Sequence, residues 1–293
     1  MNPQVAPFHH AATGTWSYLA WDARTRAAAI VDPVLDYDAP SARTSTASAQ
    51  ALVDAVAGHG LHVQWLLETH AHADHLSAAH WLKAAHFPDA TLAIGAGIVQ
   101  VQHRFGALYG LGPDFRADGS QFDRLLHDGD RFALGQLQAR VVAVPGHTGD
   151  SCAYLVGDAL FTGDSLFMPD AGTARCDFPG GSAATLYRSI QRLFALPGDT
   201  RVFVCHDYGK RADDGSGRAP QCETTIAAQR QANIHVRDGI DEATYVALRE
   251  ARDATLPMPA LILPAVQANI RAGALPPPEA NGIRYFRIPL DTL

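Results

Sequence analysis

The chain has 293 residues and a net charge of −7, with 47% hydrophobic and 18% charged residues. This composition is ordinary for a globular protein, and the length allows one large domain or two. No apolar run approaches the ~20 residues that a membrane-spanning helix needs. The acidic balance argues against a nucleic-acid partner, because phosphate binding requires a basic surface.

Residues 1–10 show neither the basic nor the apolar part of a secretion signal. The four cysteines, Cys152, Cys176, Cys205 and Cys222, are widely separated and form no CxxC pair. Such spacing without a signal favours reduced thiols over a disulfide framework. We therefore expect a cytoplasmic protein.

The first part of the chain alternates short apolar runs with helical patterns. Residues 15–21 and 27–32 predict a hairpin, and residues 45–60 predict a helix that Ser48 caps and that ends at Gly58 or Gly60. The elements that follow are a buried strand at 63–68, a helix at 76–87 and a strand at 91–95.

Residues 106–123 contain four glycines and Pro113, which indicate a long surface loop. Phe105, Tyr109, Phe115 and Phe122 accompany these glycines. Because exposed aromatic groups mark interfaces or pocket walls, we expect the loop to contact a second subunit or border the active site. The expected assembly is a homodimer or a larger homo-oligomer.

The second half begins with closely spaced strands and ends with helices. Strands are predicted at 131–135, 137–146, 152–158, 159–164 and 201–207, with a helix at 183–196 and three helical stretches after Cys222. Since most strands are not separated by long helices, two hairpin-rich sheets with outer helices fit better than a doubly wound sheet. We therefore predict an α+β fold.

Metal-binding residue types follow four of the predicted strands. Neutral imidazoles and carboxylates that converge from different parts of the chain are typical of a metal site. The residues are His70, His72, Asp74 and His75 in THAHADH, His147 in VPGHTGD, Asp164 in FTGDSLF and His206 in VCHDY. Histidines two positions apart do not share one helix face, so THAHADH must form an irregular loop.

These motifs, in this order, resemble the metallo-β-lactamase superfamily. The resemblance implies a four-layer αββα sandwich with metals at one sheet edge. We expect a single domain over residues 1–293, with a core at about 8–210 and a C-terminal helical extension at about 222–293. The segments IVDPVLD, TARCDFPGG, LYRSI, LPGDTRVFVCHDY and MPALILPAVQAN resemble the persulfide dioxygenases, also called sulfur dioxygenases.

The resemblance to persulfide dioxygenases implies one Fe²⁺ per chain, held by His70, His147 and Asp164. Two histidines and one carboxylate leave positions open for oxygen chemistry. The implied reaction transfers both atoms of O₂ to the terminal sulfur of glutathione persulfide or a related small persulfide, and water then releases sulfite and the thiol. The partners are therefore a small-molecule persulfide and O₂. The remaining ligand-type residues, His72, Asp74, His75 and His206, would then hydrogen-bond to ligands and bound water.

All seven residues also suit a dinuclear zinc site of the glyoxalase II type, in which hydroxide attacks a thioester. One Zn²⁺ would take His70, His72 and His147, and the other Asp74, His75 and His206, with Asp164 bridging. A third hypothesis is a non-catalytic metal-binding or sulfur-sensing protein.

Candidate substrate and catalytic residues lie in two further segments. Arg175 and Asp177 flank Cys176 and either bind a substrate carboxylate or form a pair that fixes their loop. Tyr208 matches an active-site tyrosine of the family. Where the family commonly has a carboxylate-binding arginine after an asparagine, this chain has His235, with Arg237 nearby. We therefore expect glutathione persulfide to bind more weakly than in typical members, because an imidazole lacks the bidentate fork.

Overall fold

The computed structural model describes residues 1–210 and 217–292. The strands in this part of the chain are β1 (Gln4–His10), β2 (Thr15–Trp21), β3 (Ala27–Val31), β4 (Val34–Asp38), β5 (Arg43–Ser45), β6 (His62–Leu67), β7 (Leu76–Ser77), β8 (Thr91–Gly95), β9 (Arg124–Leu126), β10 (Arg131–Leu134), β11 (Leu137–Ala143), β12 (Cys152–Val156), β13 (Ala159–Phe161), β14 (Arg201–Phe203) and β15 (Glu223–Thr225). The α-helices are α1 (Ala47–Gly58), α2 (Ala79–Ala85), α3 (Ile98–Leu108), α4 (Ala183–Phe194), α5 (Ile226–Ala232), α6 (Glu242–Asp253) and α7 (Ile262–Asn269). None of these helices is both long and apolar enough to cross a membrane.

Two six-stranded sheets form the centre of the fold. The first has the order β1-β2-β3-β6-β8-β9, antiparallel through β3 and parallel from β3 to β9. The second has the order β10-β11-β12-β13-β14-β15 and is antiparallel except for the β13–β14 pair. A small third sheet pairs β4 with β5 and β7.

Three hydrophobic clusters produce the predicted four layers. Between the sheets, Tyr18 and Val31 of the first meet Tyr154, Phe161 and Phe203 of the second. The outer face of the first sheet packs on α1, α2, α3 and α7, and that of the second on α4, α5 and α6. On β3, neighbouring residues point to opposite clusters, which explains why the whole strand AAAIV is apolar. The α+β sandwich is confirmed.

Several boundaries differ from the sequence prediction. Helix α1 begins at Ala47, and Ser48 lies inside it with its backbone N–H and hydroxyl bound to Asp36. Helix α2 is shorter than predicted, because Leu76 and Ser77 pair with β4 instead. Helix α3 was not predicted. Helices of the C-terminal extension end at Asn269, and residues 270–292 contain no helix or strand.

The segment 106–123 packs on the chain's own core. Phe105, Tyr109 and Phe122 are buried in the cluster beneath α3 and α7, and the ring of Phe115 lies 4.6 Å from the Arg271 guanidinium. No residue of the segment lines the two cavities beside the metal-ligand cluster. The expectation that it borders the active site is therefore wrong, and intrachain packing explains its aromatic content.

The loop that carries THAHADH is buried and is held by three distant polar side chains. Asp32 accepts hydrogen bonds from the backbone N–H and hydroxyl of Thr69 at 2.7 and 2.9 Å. Asp150 accepts one from the backbone N–H of Ala71 at 2.8 Å. Asn269, at the end of α7, donates to the carbonyls of His72 and His75, both at 2.8 Å. Because buried backbone groups need such partners, the conformation of the loop depends on three residues that are far apart in sequence.

We predict that Asn269→Ala lowers the free energy of unfolding by about 2–4 kcal/mol, because it leaves buried carbonyls of the loop and the Ser77 N–H without partners. Equilibrium urea unfolding measures the change. Asn281→Ala is the matched control, because Asn281 is exposed, and its effect should stay within about 0.5 kcal/mol. Equal stability losses in both variants would contradict the role of Asn269.

Candidate metal centre

The seven ligand-type residues converge at the ends of strands from both sheets. THAHADH follows β6 of the first sheet, whereas His147, Asp164 and His206 follow β11, β13 and β14 of the second. Gly163 allows the Asp164 segment to approach closely, because a Cβ there would lie 2.6 Å from the Thr69 hydroxyl, and its φ is +50°. Four separate loops thus meet at one edge of the sandwich, as the sequence predicted.

His70, His147 and Asp164 form one of two main groups, with ligand atoms within 4.8 Å of one another. Asp164 Oδ2 lies 3.5 Å from His147 Nε2 and 3.8 Å from His70 Nε2. All three residues are buried. Two nitrogens and one carboxylate oxygen therefore surround a common point.

Hydrogen bonds fix the tautomers of both histidines in this group. The carbonyl oxygen of Arg175 can only accept, so His147 Nδ1 donates to it at 2.7 Å. The Thr69 hydroxyl already donates to Asp32, so it accepts from His70 Nδ1 at 3.1 Å. Both Nε2 atoms are thus left with free lone pairs that face the Asp164 carboxylate.

A cation fits this arrangement. His70 Nε2 and Asp164 Oδ1 are buried without hydrogen-bond partners, as are His75 Nε2 and His206 Nε2. Burial, with the neighbouring His72, holds the pKa of His70 well below its usual value, while burial raises the pKa of Asp164. Neutral imidazole lone pairs beside a carboxylate oxygen repel one another unless a cation lies between them.

The second group consists of His72, Asp74, His75 and His206. Asp74 Oδ2 lies 3.2 Å from His206 Nε2 and 3.5 Å from His75 Nδ1, and Asp164 Oδ1 lies 3.4 Å from His206 Nε2. Burial would raise the pKa of Asp74, but His206 and His75 hold it well below its usual value. His206 therefore lies between two carboxylates and connects the two groups.

The His72 ring lies 4.0 Å from the His70 ring, and its Nε2 atom approaches an acidic pair. Its Nε2 atom is 3.0 Å from Asp32 Oδ1 and 3.8 Å from Glu68 Oε2, without hydrogen-bond geometry. The expected trio of His70, His72 and His147 does not appear among the groups that the described residues form.

A cavity of about 480 Å³ opens onto the centre. Its walls include the ligand-type residues Asp74, His147, Asp164 and His206, and the candidates Arg175, Tyr208 and His235. The size suits a small-molecule ligand. Tyr208 is exposed, stacks on His206 and also borders a second cleft of about 790 Å³.

The other predicted substrate residues are placed less favourably. Arg175 forms a bidentate pair with Asp177 at 2.6 and 2.7 Å and donates to the Pro257 carbonyl, which fixes their loop. Asp177 does not line the cavity, and Arg237 is exposed outside it. His235 is buried, its Nδ1 accepts the Thr173 N–H, and burial lowers its pKa to about 4, so it is neutral at pH 7.

Two arginines that the sequence analysis did not single out line the cavity. Arg249 and Arg252 lie on α6, three positions apart. Arg249 is buried and pairs with Asp253 at 2.8 Å, whereas Arg252 is exposed and makes no ion pair within residues 1–210 and 217–292. The i, i+3 spacing of the two arginines in LREARD places them on one helix face, and this spacing could have identified them from the sequence.

Comparisons with known proteins agree with this architecture. The family model described as "Metallo-beta-lactamase superfamily" matches residues 11–206. A Burkholderia pseudomallei protein named "Probable metallo-hydrolase" is 52% identical over 99% of both chains. Glyoxylase B2 of Dictyostelium discoideum is 46% identical over 99% of this chain and 97% of its own.

More distant relatives include a dioxygenase. The human mitochondrial persulfide dioxygenase ETHE1 is 29% identical over 90% of this chain and 86% of its own. The crystal structure of ETHE1 from Myxococcus xanthus is 30% identical and covers 92% of this chain and all of its own, with a TM-score of 0.72. With its fold, its His/Asp metal-binding cluster and these relatives, the chain belongs to the metallo-β-lactamase superfamily.

Proposed function

We propose that the protein is an iron-dependent persulfide dioxygenase that oxidises glutathione persulfide, or a related small persulfide, with O₂ to sulfite and thiol. The observation that carries the proposal is the separate group of His70, His147 and Asp164. Two histidines and one carboxylate are the ligands typical of non-haem Fe²⁺ oxygenases. Iron bound there would supply the activation of O₂, and the similarity to persulfide dioxygenase ETHE1 supports the same reaction.

In the proposed function the surrounding side chains would hydrogen-bond to the ligands and to bound water instead of holding a second metal. His72 faces Asp32 and Glu68, and His206 lies between Asp74 and Asp164. From this position His206 can hold a proton at Nε2 between the two carboxylates. Tyr208, stacked on the same ring, would cover one side of the reacting sulfur.

The side chains that line the cavity suit an anionic thiol carrier. Phe167, Phe178 and Leu256 provide apolar walls. Arg175 and Arg249 are each paired with an aspartate, which leaves Arg252 as the cavity arginine with a free guanidinium within the described residues. A free guanidinium binds a carboxylate with two parallel hydrogen bonds. We therefore expect Arg252 to bind the carboxylate of the thiol carrier. The sequence had suggested His235 or Arg237 for this role.

The alternative is a dinuclear zinc thioester hydrolase of the glyoxalase II type. Asp74, His75 and His206 lie within one group, and Asp164 contacts both groups. The relatives named as a metallo-hydrolase and as Glyoxylase B2 also favour hydrolysis. The direction of the His72 Nε2 atom weighs against this alternative, because that atom lies beside Asp32 and not with the ligand atoms of His70 and His147.

Metal content distinguishes the two candidates. We predict about one iron per wild-type chain, near-complete loss of metal in His147→Ala, and substantial retention in His206→Ala, because losing a neighbour of a ligand costs only about 10–100-fold in affinity. Elemental analysis of protein purified without oxygen measures this, with exposed His103→Ala as the control. Two zinc ions per chain, falling to one in His206→Ala, would favour the hydrolase.

Activity gives the complementary test. Iron-loaded protein should consume O₂ when glutathione persulfide is added and should not hydrolyse S-lactoylglutathione. Hydrolysis by zinc-loaded protein without O₂ uptake would establish the alternative. Absence of both activities in metal-loaded protein would favour a non-catalytic metal-binding protein.

Arg252 should determine the affinity for the thiol carrier. We predict that Arg252→Ala raises the KM for glutathione persulfide about 10-fold or more at unchanged kcat, because a hydrogen bond to a charged group contributes about 1.5–3 kcal/mol. Steady-state O₂ uptake measures both constants. Arg237→Ala is the matched comparison. A KM that rises only in Arg237→Ala would return the role to that residue.

A further inference from the structure

A chain of hydrogen-bonding side chains leads away from the second ligand group. Thr15 Oγ1 lies 3.4 Å from the Nδ1 atoms of both His75 and His206. It is 2.7 Å from Thr13 Oγ1, which is itself 2.7 Å from His10 Nδ1. Thr15 is buried, whereas Thr13 and His10 are half-buried. The contacts therefore run from the metal centre toward the surface.

The chain ends in the 790 Å³ cleft, which shares Asp74 and Tyr208 with the metal cavity and is also lined by His75. His10 and Thr13 line this cleft, and His10 Nε2 lies 3.4 Å from Asp36 Oδ1. Solvent in the cleft can therefore reach the imidazole.

The donors and acceptors along the chain are compatible with proton movement in one direction. The Thr15 hydroxyl can donate to Thr13, and the Thr13 hydroxyl can donate to His10 Nδ1. His10 Nε2–H then points to the carboxylate of Asp36, which also accepts from Ser48. Each hydroxyl both accepts and donates, as a proton relay requires.

Backbone contacts keep this path in place. Thr15 and His206 form an isolated β-bridge, with the Trp16 N–H bound to the Cys205 carbonyl at 2.7 Å. At Gly14 the φ is +69°, and a Cβ there would lie 2.5 Å from the Tyr208 ring. The turn between β1 and β2 is thus fixed against the segment that carries His206 and Tyr208.

We propose that Thr15, Thr13 and His10 form a proton-release path from the metal centre to the second cleft. The inference rests on the proposed function, because that reaction releases protons: RSSH + O₂ + H₂O gives RSH, SO₃²⁻ and two H⁺. In this path Thr13 protonates His10 at Nδ1 while the Nε2 proton passes to Asp36 or to solvent. Thr13 then regains a proton from Thr15, and Thr15 regains one from an Nδ1–H of His75 or His206.

The groups that face His10 favour a neutral, proton-accepting ring. Burial, with His75 and His9, lowers the pKa of His10, and Asp36 partly opposes them. The other charged groups that line the cleft are Asp38 on β4, Arg43 on β5 and Asp74 in the metal loop. At pH 7 the ring is therefore mostly neutral, and Nδ1 is free to accept a proton from Thr13.

Chemical rescue tests the path. In weakly buffered solution, His10→Ala should lower kcat about 10-fold with unchanged KM, because proton transfer by a positioned side chain contributes about 10²–10⁴-fold and solvent provides a slower route. Added imidazole should restore kcat. Unchanged kcat in His10→Ala, or a loss that imidazole does not restore, would overturn the proposal, because a purely structural role does not depend on the buffer.

Three further variants separate the path from general effects of substitution. Thr13→Val removes the hydroxyl and should lower kcat as His10→Ala does, whereas Thr13→Ser keeps it and should stay near wild type. His103→Ala is the control, because His103 is exposed on α3 and does not line the cleft. Equal activity of Thr13→Val and Thr13→Ser would contradict the path.

The tautomer of His10 gives a readout that does not need turnover. Long-range ¹H–¹⁵N NMR spectra of the wild-type protein at neutral pH should show the Nε2–H tautomer, and Thr13→Val should shift the Nδ1 resonance. An Nδ1–H tautomer in the wild type would overturn the path. Because the spectra require no substrate, they test the path even if the wild type shows no O₂ uptake with persulfide, which would count against the proposed function alone.

Discussion

The metal centre depends on how the buried backbone of residues 69–75 is satisfied. This loop forms neither helix nor sheet, yet most of it is buried. Asp32, Asp150 and Asn269 supply the missing partners from three distant parts of the chain. Because an unpaired buried peptide group costs about 1–3 kcal/mol, the loop acquires its shape only when both sheets and α7 are assembled. Ligand geometry is thus a property of the tertiary fold.

The same constraint explains the division of the seven residues into two groups. Asp32, which holds Thr69, also lies beside His72, and its pKa is raised to about 6 mainly by burial. The Nε2 atom of His72 therefore has a carboxylate neighbour of its own. His70 and His147 each present Nε2 to Asp164, since Thr69 and the Arg175 carbonyl occupy their Nδ1 atoms. The grouping of His70 and His147 with Asp164 thus follows from which nitrogen of each ring is already used.

Sequence reasoning located the ligands but not the residues that support them. Histidines and carboxylates after apolar strands are a local signal, and the strands place them at one edge. Asn269 and Thr15 carry no local signal, because each acts through a contact with a residue far away in sequence. His10 carries no local signal for the same reason, since its partners Thr13 and Asp36 are recognisable only in the folded chain. Helix α3 was missed because its glycine and aromatic residues were attributed to the loop that follows.

The proton path is compatible with either metal chemistry. Whether the path exists is therefore a separate question from which reaction the metal centre catalyses. Thioester hydrolysis also releases a proton, so a route through Thr15, Thr13 and His10 would serve a hydrolase as well as a dioxygenase. In the proposed function substrate would bind in the 480 Å³ cavity, whereas protons would leave through the 790 Å³ cleft that contains His10. A bound thiol carrier could then fill the first cavity while protons still reach solvent through the second.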